Sequence, residues 1–548
     1  MEFRSLHTMG DVLVRGALTH PDRDAVVLTE GRRTYAALHQ EARRLAAGLL
    51  RLGIERGDRV GVLMPNSLAY LEVEFACMLV GAVVVPINSR FRSVELRHVI
   101  PDSGIRVLFV SDPVDGTVSY IDRLLESLPG IANHPDVNDL DRRLDLPEAA
   151  ALGHIVVMGA TSRPGFVGQD RFDDAAAEID IHEVEARRQS VALRDPAIIF
   201  YTSGTTALPK GCVLSHEAVV RQGLDAGERL GYRDGDVVFS PLPMFHASCT
   251  QVLLAILQRV GTYLSMAHFD PEEGLRIIER EGATVLFPAF PAVTDGLMNA
   301  PSFGPESFRR VRTLFHIATP DQLRLLQAKL PDTTVVTAFG MTEFAGSVTI
   351  ADPDDPLERR VLQGRPLPGT EVVIHDLVHG TPLPAGAEGE IVARGPTAFS
   401  GYHGDPQKTA ASFSEGGWYR TGDLGVIDDA GYLRFLGRIK DMLKIGGENV
   451  GAIEIESHLE AHPSVGLASV VGVPDDRYGE VAAAFIELRP GASATQEDLI
   501  GHCRGQIASF KVPRYVRFVT EWPMSATKVR KADLRARIAE ELGVSPQG

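Results

Sequence analysis

Tyr201-Thr202-Ser203-Gly204-Thr205-Thr206-Ala207-Leu208-Pro209-Lys210-Gly211 follows the apolar run Ala197-Ile198-Ile199-Phe200, so a buried strand runs into a turn crowded with hydroxyls, a glycine and a lysine. Such a turn suits a polyphosphate. Gly204, lacking a Cβ, opens backbone conformations closed to other residues, so neighbouring N–H groups can point inward. Thr202, Ser203, Thr205 and Thr206 add hydroxyl donors, and Lys210 adds a positive charge. The Walker pattern fails here, because its second glycine and closing Ser or Thr would fall where Pro209 and Gly211 stand. Taken alone, the stretch also fits a surface turn rich in Ser, Thr and Gly.

Upstream, Thr34 is placed to cap a helix in which Leu38, Ala42, Leu45 and Leu49 recur on one face, with Gly53 as its stop. Residues 59–64 read as a strand, 67–80 as an apolar helix and 82–87 as a strand, which predicts parallel α/β layering. Residues 112–190, dense in Asp, Glu, Pro and Gly, read largely as surface connection around one strand, His154-Ile155-Val156-Val157-Met158. Downstream, 236–240, 283–287, 311–317 and 334–338 read as strands and 250–258 as a helix. Ligands of open α/β sheets sit beyond the carboxyl ends of strands, so the loops at His246, 288–291, 316–320 and 340–343 are candidate walls of one crevice. From Gly364 short strands punctuated by Gly and Pro predict a β-rich subdomain. Beyond the loop Gly446-Gly447-Glu448-Asn449 the order helix, strand, strand, helix, strand, helix predicts a separate small domain, in which Thr495 and Asp498 form a capping box ahead of the stripe Leu499, Ile500, Cys503, Ile507.

Composition narrows the function. With 55 Lys and Arg against 72 Asp and Glu, the net charge of −17 argues against a general nucleic-acid or anionic-membrane binder, so an anionic ligand needs a local basic site. Cys77, Cys212, Cys249 and Cys503 have no metal-site spacing, and so few cysteines over 548 residues point to free thiols in a reducing, cytoplasmic setting. No apolar run approaches the ~20 residues of an integral membrane segment, and the first residues lack a signal-peptide core. A homo-oligomer is left open.

Four further stretches join the first: Pro243-Met244-Phe245-His246, Phe339-Gly340-Met341-Thr342-Glu343, Tyr419-Arg420-Thr421-Gly422-Asp423 and Gly437-Arg438-Ile439-Lys440-Asp441. In order and spacing the five resemble the adenylate-forming superfamily of acyl-CoA synthetases, luciferases and peptide-synthetase adenylation domains, over nearly the whole chain. The resemblance implies an α/β fold with a large N-terminal domain, 1–436, of layered α/β subdomains plus a β-rich subdomain, a hinge at 437–440, and a small mobile α+β domain, 441–548. It implies that Thr202, Ser203, Gly204, Thr205, Thr206 and Lys210 grip the phosphates of ATP, that Thr342 touches the α-phosphate, and that Glu343 holds Mg²⁺. Phe339 would lie near the adenine, and Asp423 and Arg438 would take the ribose, although Asp423 taken singly also fits a turn residue. Lys528 matches the C-terminal catalytic lysine, with Lys531 as the competing choice. His246 would stand at the mouth of the acyl pocket. Lys440 matches the hinge, and Lys444, Gly446 and Gly447 match the loop that admits the thiol of CoA once the small domain has rotated.

The expected activity is ATP-dependent activation of a small-molecule carboxylic acid, then transfer to CoA. The aromatic-rich pocket candidates Phe245, His246, Phe287, Phe290, Phe315, His316 and Phe339 point to a small or aromatic acid. Alternatives that keep adenylation are a carrier-protein ligase, for which no carrier-like Asp-Ser-Leu site is present, and a diazotase that activates nitrite. A nucleotide-sensing pseudoenzyme would not need both Glu343 and Lys528.

Overall fold

The computed structural model describes residues 7–111, 119–134, 140–159, 163–202, 208–304, 306–445, 448–475, 477–525 and 528–544. The chain divides into two compact units, Met1–Glu371 with Arg394–Phe413, and Val372–Ala393 with Ser414–Gly548. The fold is mixed α/β, with a large N-terminal and a small C-terminal domain.

The first unit is built on two mainly parallel sheets. In the eight-stranded sheet the order is Gly401–Tyr402, Lys210–Ser215, Pro196–Thr202, Val83–Pro86, Arg59–Leu63, Ile105–Ser111, His154–Met158, Val167–Gly168. The first three pair antiparallel and the others parallel. In the seven-stranded sheet the order is Thr334–Val336, Thr313–His316, Val285–Ala289, Val237–Phe239, Thr262–Leu264, Asp24–Leu28, Gly31–Thr34, and only the last pair is antiparallel. Helices Leu68–Val80 and Ala247–Leu257 are mainly apolar and bury nearly every residue, as expected of helices packed on several sides. Leu68–Val80 touches strands of both sheets and the amphipathic helix Tyr35–Arg51. That helix matches its sequence signature: Thr34 Oγ1 accepts from the Ala37 N–H at 3.2 Å, and Leu38, Ala42, Leu45 and Leu49 are fully buried.

Residues 112–190 depart from the expectation of surface connection. Among those described, Tyr120–Ser127, Gln169–Ala176 and Ile181–Gln189 are helices and Val167–Gly168 adds a parallel strand. Leu124, Leu128, Ile131, Leu144, Leu146 and Phe166 join the core that covers Ile105, Leu108 and Val110. Their spacing follows no regular period because short helices and turns each contribute one or two anchors, so the Asp, Glu, Pro and Gly between them masked the pattern.

In the second unit Gly389–Arg394, Trp418–Ile427 and Leu433–Arg438 pair antiparallel. A second sheet runs Glu448–Gly451, Met442–Ile445, Gly479–Leu488, Val465–Asp475, with Tyr515–Phe518 beside Gly479–Leu488. Helices Ala452–Glu460 and Gln496–Cys503 bury Ile455, Leu459, Leu499 and Cys503 in one cluster, and Lys531–Leu542 buries Leu534 and Ile538 in another. The capping box forms, with Thr495 and Asp498 exchanging hydrogen bonds. Among the described residues no helix is long and apolar enough to cross a membrane.

Candidate functional site

Strands Pro196–Thr202 and Lys210–Ser215 form a hairpin in which Thr202 stands opposite Lys210 and Tyr201 opposite Gly211, so the polar turn is the hairpin's loop. Ser203, Gly204, Thr205 and Thr206 lie outside the described residues. Gly211 is fixed by packing. A Cβ there would come within 2.8 Å of Ile199 Cγ2 and 3.1 Å of His403 Cβ, which leaves no room for a Walker hydroxyl. The close neighbour is the strand Gly401–Tyr402, whose Tyr402 pairs with Cys212.

That pairing brings two distant stretches together. Met341 is extended, Thr342–Phe344 make one 3-10 turn, and Ala345 closes it in the left-handed region at φ 56°, a conformation costing a non-glycine residue about 1 kcal/mol or more. The turn presents half-buried Thr342 and Glu343. Tyr402 Oη donates to Glu343 Oε1 at 2.9 Å, and the Phe399 N–H donates to the Glu343 carbonyl at 2.7 Å. Lys210 Nζ lies 5.4 Å and Lys408 Nζ 5.7 Å from the centre of the Tyr402 ring. Burial, and next the Lys408 ammonium, bring Lys210 down to about 8, against the opposing pull of Glu343. Burial, and next Glu343, push the Cys212 thiol well up, so it stays neutral.

Neighbouring parallel strands Val237–Phe239, Val285–Ala289, Thr313–His316 and Thr334–Val336 end on one side of their sheet, so the expected walls follow one another. His246 is the N-cap residue of Ala247–Leu257, with its ring 4.6 Å from that of Phe245. The Ile317 N–H donates to the Ala289 carbonyl at 2.7 Å, tying the two middle loops. Burial lowers His316 to about 4, so its imidazole is neutral, and Nδ1 lies 2.9 Å from Thr294 Oγ1. Phe287 and Phe315 stack at 4.1 Å inside the core, and Phe339 is 7% exposed. The apolar side chains left open are Phe290 and Ile317, each 38% exposed.

In the second unit Asp423 stands opposite Arg438 in the ladder, with Arg438 Nε 2.7 Å from Asp423 Oδ1. Asp423 is 2% exposed and belongs to a strand, not a turn. Its approach is held from behind: Arg420 donates twice to Glu390 Oε2, the Gly422 N–H donates to Glu390 Oε1, and Gly422 takes φ 69°. Lys440 and Lys444 are exposed, and the Lys444 N–H donates to Glu480 Oε2 at 2.7 Å. Gly446 and Gly447 lie outside the described residues. Lys528 opens the second strand of a hairpin opposite Ser525, and its side chain also lies outside what is described. Lys531 is committed elsewhere, with Nζ 2.7 Å from Glu456 Oε1.

Tyr402, Lys408 and Glu390 escaped the sequence reading. A signal existed for the first two, because Asp405-Pro406 reads as the cap and first residue of a helix that carries Lys408 directly after Gly401-Tyr402. Among the described residues no three His, Cys, Asp or Glu side chains gather as a metal cage. A lone carboxylate, Glu343, fits Mg²⁺, which is usually held by one or two carboxylates, water and the phosphates of its substrate.

The family described as AMP-binding enzyme matches residues 13–403, and its C-terminal domain, AMP-binding enzyme C-terminal domain, matches 454–528. YngI of Bacillus subtilis (strain 168), which bears an acyl-CoA synthetase name, is 33% identical over 98% of both chains. The mitochondrial medium-chain acyl-CoA ligase ACSF2 of Rattus norvegicus is 31% identical over 98% of this chain and 88% of its own. The crystal structure of ATP-bound MatB from Rhodopseudomonas palustris superimposes with a TM-score of 0.81 at 29% identity, covering 97% of this chain and 99% of that one.

Proposed function

The chain belongs to the AMP-binding enzymes, the adenylate-forming family of acyl-CoA synthetases, and from that membership we propose that it couples ATP to the activation of a carboxylic acid and passes the acyl group to CoA. The observation that carries this reading is the meeting of Lys210, at the mouth of the hydroxyl-rich hairpin, with Glu343 across the Tyr402 side chain.

In the first step a carboxylate oxygen attacks the α-phosphorus, the bond to the pyrophosphate oxygen breaks, and an acyl adenylate forms. That displacement needs alignment and neutralised charge more than it needs a base. Thr202, Ser203, Gly204, Thr205, Thr206 and Lys210 hold the phosphates, Thr342 steadies the α-phosphate, and Lys528 draws carboxylate and α-phosphate together. Glu343 would hold Mg²⁺, whose charge offsets that of the phosphates. Phe339 lies against the adenine, and Asp423, with Arg438, takes the ribose hydroxyls. In the second step the thiol of CoA attacks the acyl carbonyl and AMP leaves. Lys444, Gly446 and Gly447 serve the thiol, and the hinge at 437–440 with the small domain 441–548 turns between the steps. His246, with Phe290 and Ile317, borders the acyl group. We take the compartment to be cytoplasmic, since all four cysteines are buried free thiols.

Pyrophosphate release and thioester formation across a panel of acids test the reading. Small, aromatic and medium-chain acids are its arms, with nitrite as the control. Pyrophosphate released with a carboxylic acid, and thioester formed only when CoA is present, is the expected result. Release with nitrite alone, without any use of CoA, would replace it with a diazotase.

A further inference from the structure

Resting on the adenylation reading, we propose that Lys408 is a second cation for the departing pyrophosphate, held beside Lys210 over the ring of Tyr402 so that the two ammonium groups make one clamp. The backbone fixes both lysines. Lys210 is set by its pairing with Thr202, while Lys408 rides on the short helix Pro406–Ala411, where its N–H donates to the capping Asp405 Oδ1 at 2.9 Å. Thr409 ties that helix to the ring: its Oγ1 accepts from the Tyr402 N–H at 2.8 Å and donates to the Asp405 carbonyl at 2.8 Å. Both lysines are half-buried, so their juxtaposition is not that of two chains waving in solvent.

The charges nearest Lys210 do not balance. Among the described residues they are Lys408 from the helix and Glu343 from the 3-10 turn, with the Cys212 thiol, which burial keeps neutral, on Lys210's own strand. Glu343 also accepts the Tyr402 hydroxyl and is the carboxylate reserved for metal. Two like charges brought together and partly desolvated disfavour the empty state, and an anion with several charged oxygens relieves it. Burial and, next to it, the Lys408 ammonium bring Lys210 down to about 8. Pyrophosphate is the anion of that chemistry which adenylation produces at this end of the nucleotide.

The test uses the full chain and inorganic pyrophosphate as the probe, measured by calorimetry without acid or turnover. Lys408→Met keeps length and removes charge, and should weaken pyrophosphate binding by about tenfold or more, the scale of one lost charge-assisted contact, while AMP binds as before. Lys408→Arg should restore most of it. Because Lys210 must be protonated to hold the anion, wild-type affinity falls as pH rises through about 8. In Lys408→Met that limb should move to higher pH. Tyr402→Phe keeps the ring and releases Glu343, so it should lower Mg²⁺-dependent turnover yet leave metal-free pyrophosphate binding within about twofold. Unchanged pyrophosphate affinity in Lys408→Met, or an equal loss for AMP together with a lower melting temperature, would overturn the clamp. Failure of the adenylation reading shows separately, as a wild-type protein that releases no pyrophosphate with any acid.

Discussion

A carboxylate has about four lone-pair sites, and Glu343, which accepts the Tyr402 hydroxyl, has others to offer the metal it is proposed to hold. Glu343→Gln preserves volume and the accepted hydrogen bond but removes the charge, so turnover should fall by roughly two orders of magnitude with the circular dichroism spectrum unchanged. Normal pyrophosphate release would remove Glu343 from the reaction. Asp423 differs, being already paired with Arg438 and nearly buried. Asp423→Ala should raise the KM for ATP about 10- to 100-fold, as expected for losing a charged acceptor worth about 1.5–3 kcal/mol, with a smaller change in kcat. A KM like that of the wild type would make Asp423 a structural partner of Arg438 only. At this scale the sequence singles out residues whose motif is long, such as Glu343 in Phe339-Gly340-Met341-Thr342-Glu343, and the structure sets that residue on a turn facing Tyr402. Tyr402 was not readable, because its meaning comes from Cys212, almost two hundred residues away, and from the turn that carries Glu343.

The helix Leu68–Val80 buries two carboxyls: Glu72, which accepts from Arg33, and Glu74. Glu74 is 2% exposed, its Oε1 has no hydrogen-bond partner among the described residues, and burial pushes it up to about 8. At neutral pH the native state therefore binds a proton that the unfolded chain releases. The folded value lies above the unfolded one, so Glu74's own contribution to stability is full below about pH 4.5 and is lost as pH rises through about 8, by an amount on the order of a few kcal/mol. Glu74→Gln removes this dependence: melting temperatures measured from pH 5 to 9 should diverge, with the variant increasingly the more stable toward alkaline pH. Parallel curves would mean that water or relaxation satisfies the carboxylate. Elements with one clean period were legible in advance, namely Tyr35–Arg51 between Thr34 and Gly53, and Gln496–Cys503 behind its capping box. Tyr120–Ser127 and Gln169–Ala176 were not: they are as short as Gln496–Cys503, no capping box announces them, and Gln169–Ala176 is anchored by a distant partner, Phe109, whose ring meets Phe172 edge-on at 5.4 Å.

For the molecule as a whole, two half-reactions should be separable by substitution. Lys528→Ala removes the charge proposed to draw acid and α-phosphate together, so adenylate formation should drop by about 10² or more, while thioester is still made from preformed acyl adenylate. Gly447→Leu puts a branched side chain where the thiol arm is proposed to pass, so adenylate should accumulate and transfer to CoA should slow. Single-turnover assays distinguish the two, and loss of the first step alone in both variants would leave the proposed rotation without support. Layering and element order at this scale were legible from alternating strands and helices. Sheet order was not, because it depends on pairings such as Asp24–Leu28 with Thr262–Leu264 that no local pattern announces. The eight-stranded sheet has a further property: its outermost strands, Gly401–Tyr402 and Val167–Gly168, are two residues long. Rims so short give an incoming chain almost no row of open peptide groups to copy, which is how soluble proteins avoid edge-to-edge association. Tyr402 thus has a second duty as a stopper on Lys210–Ser215. A Cβ at Gly401 would come within 2.8 Å of Thr409, so a bulky residue there would unzip the stopper, and chemistry and solubility would fail at the same place.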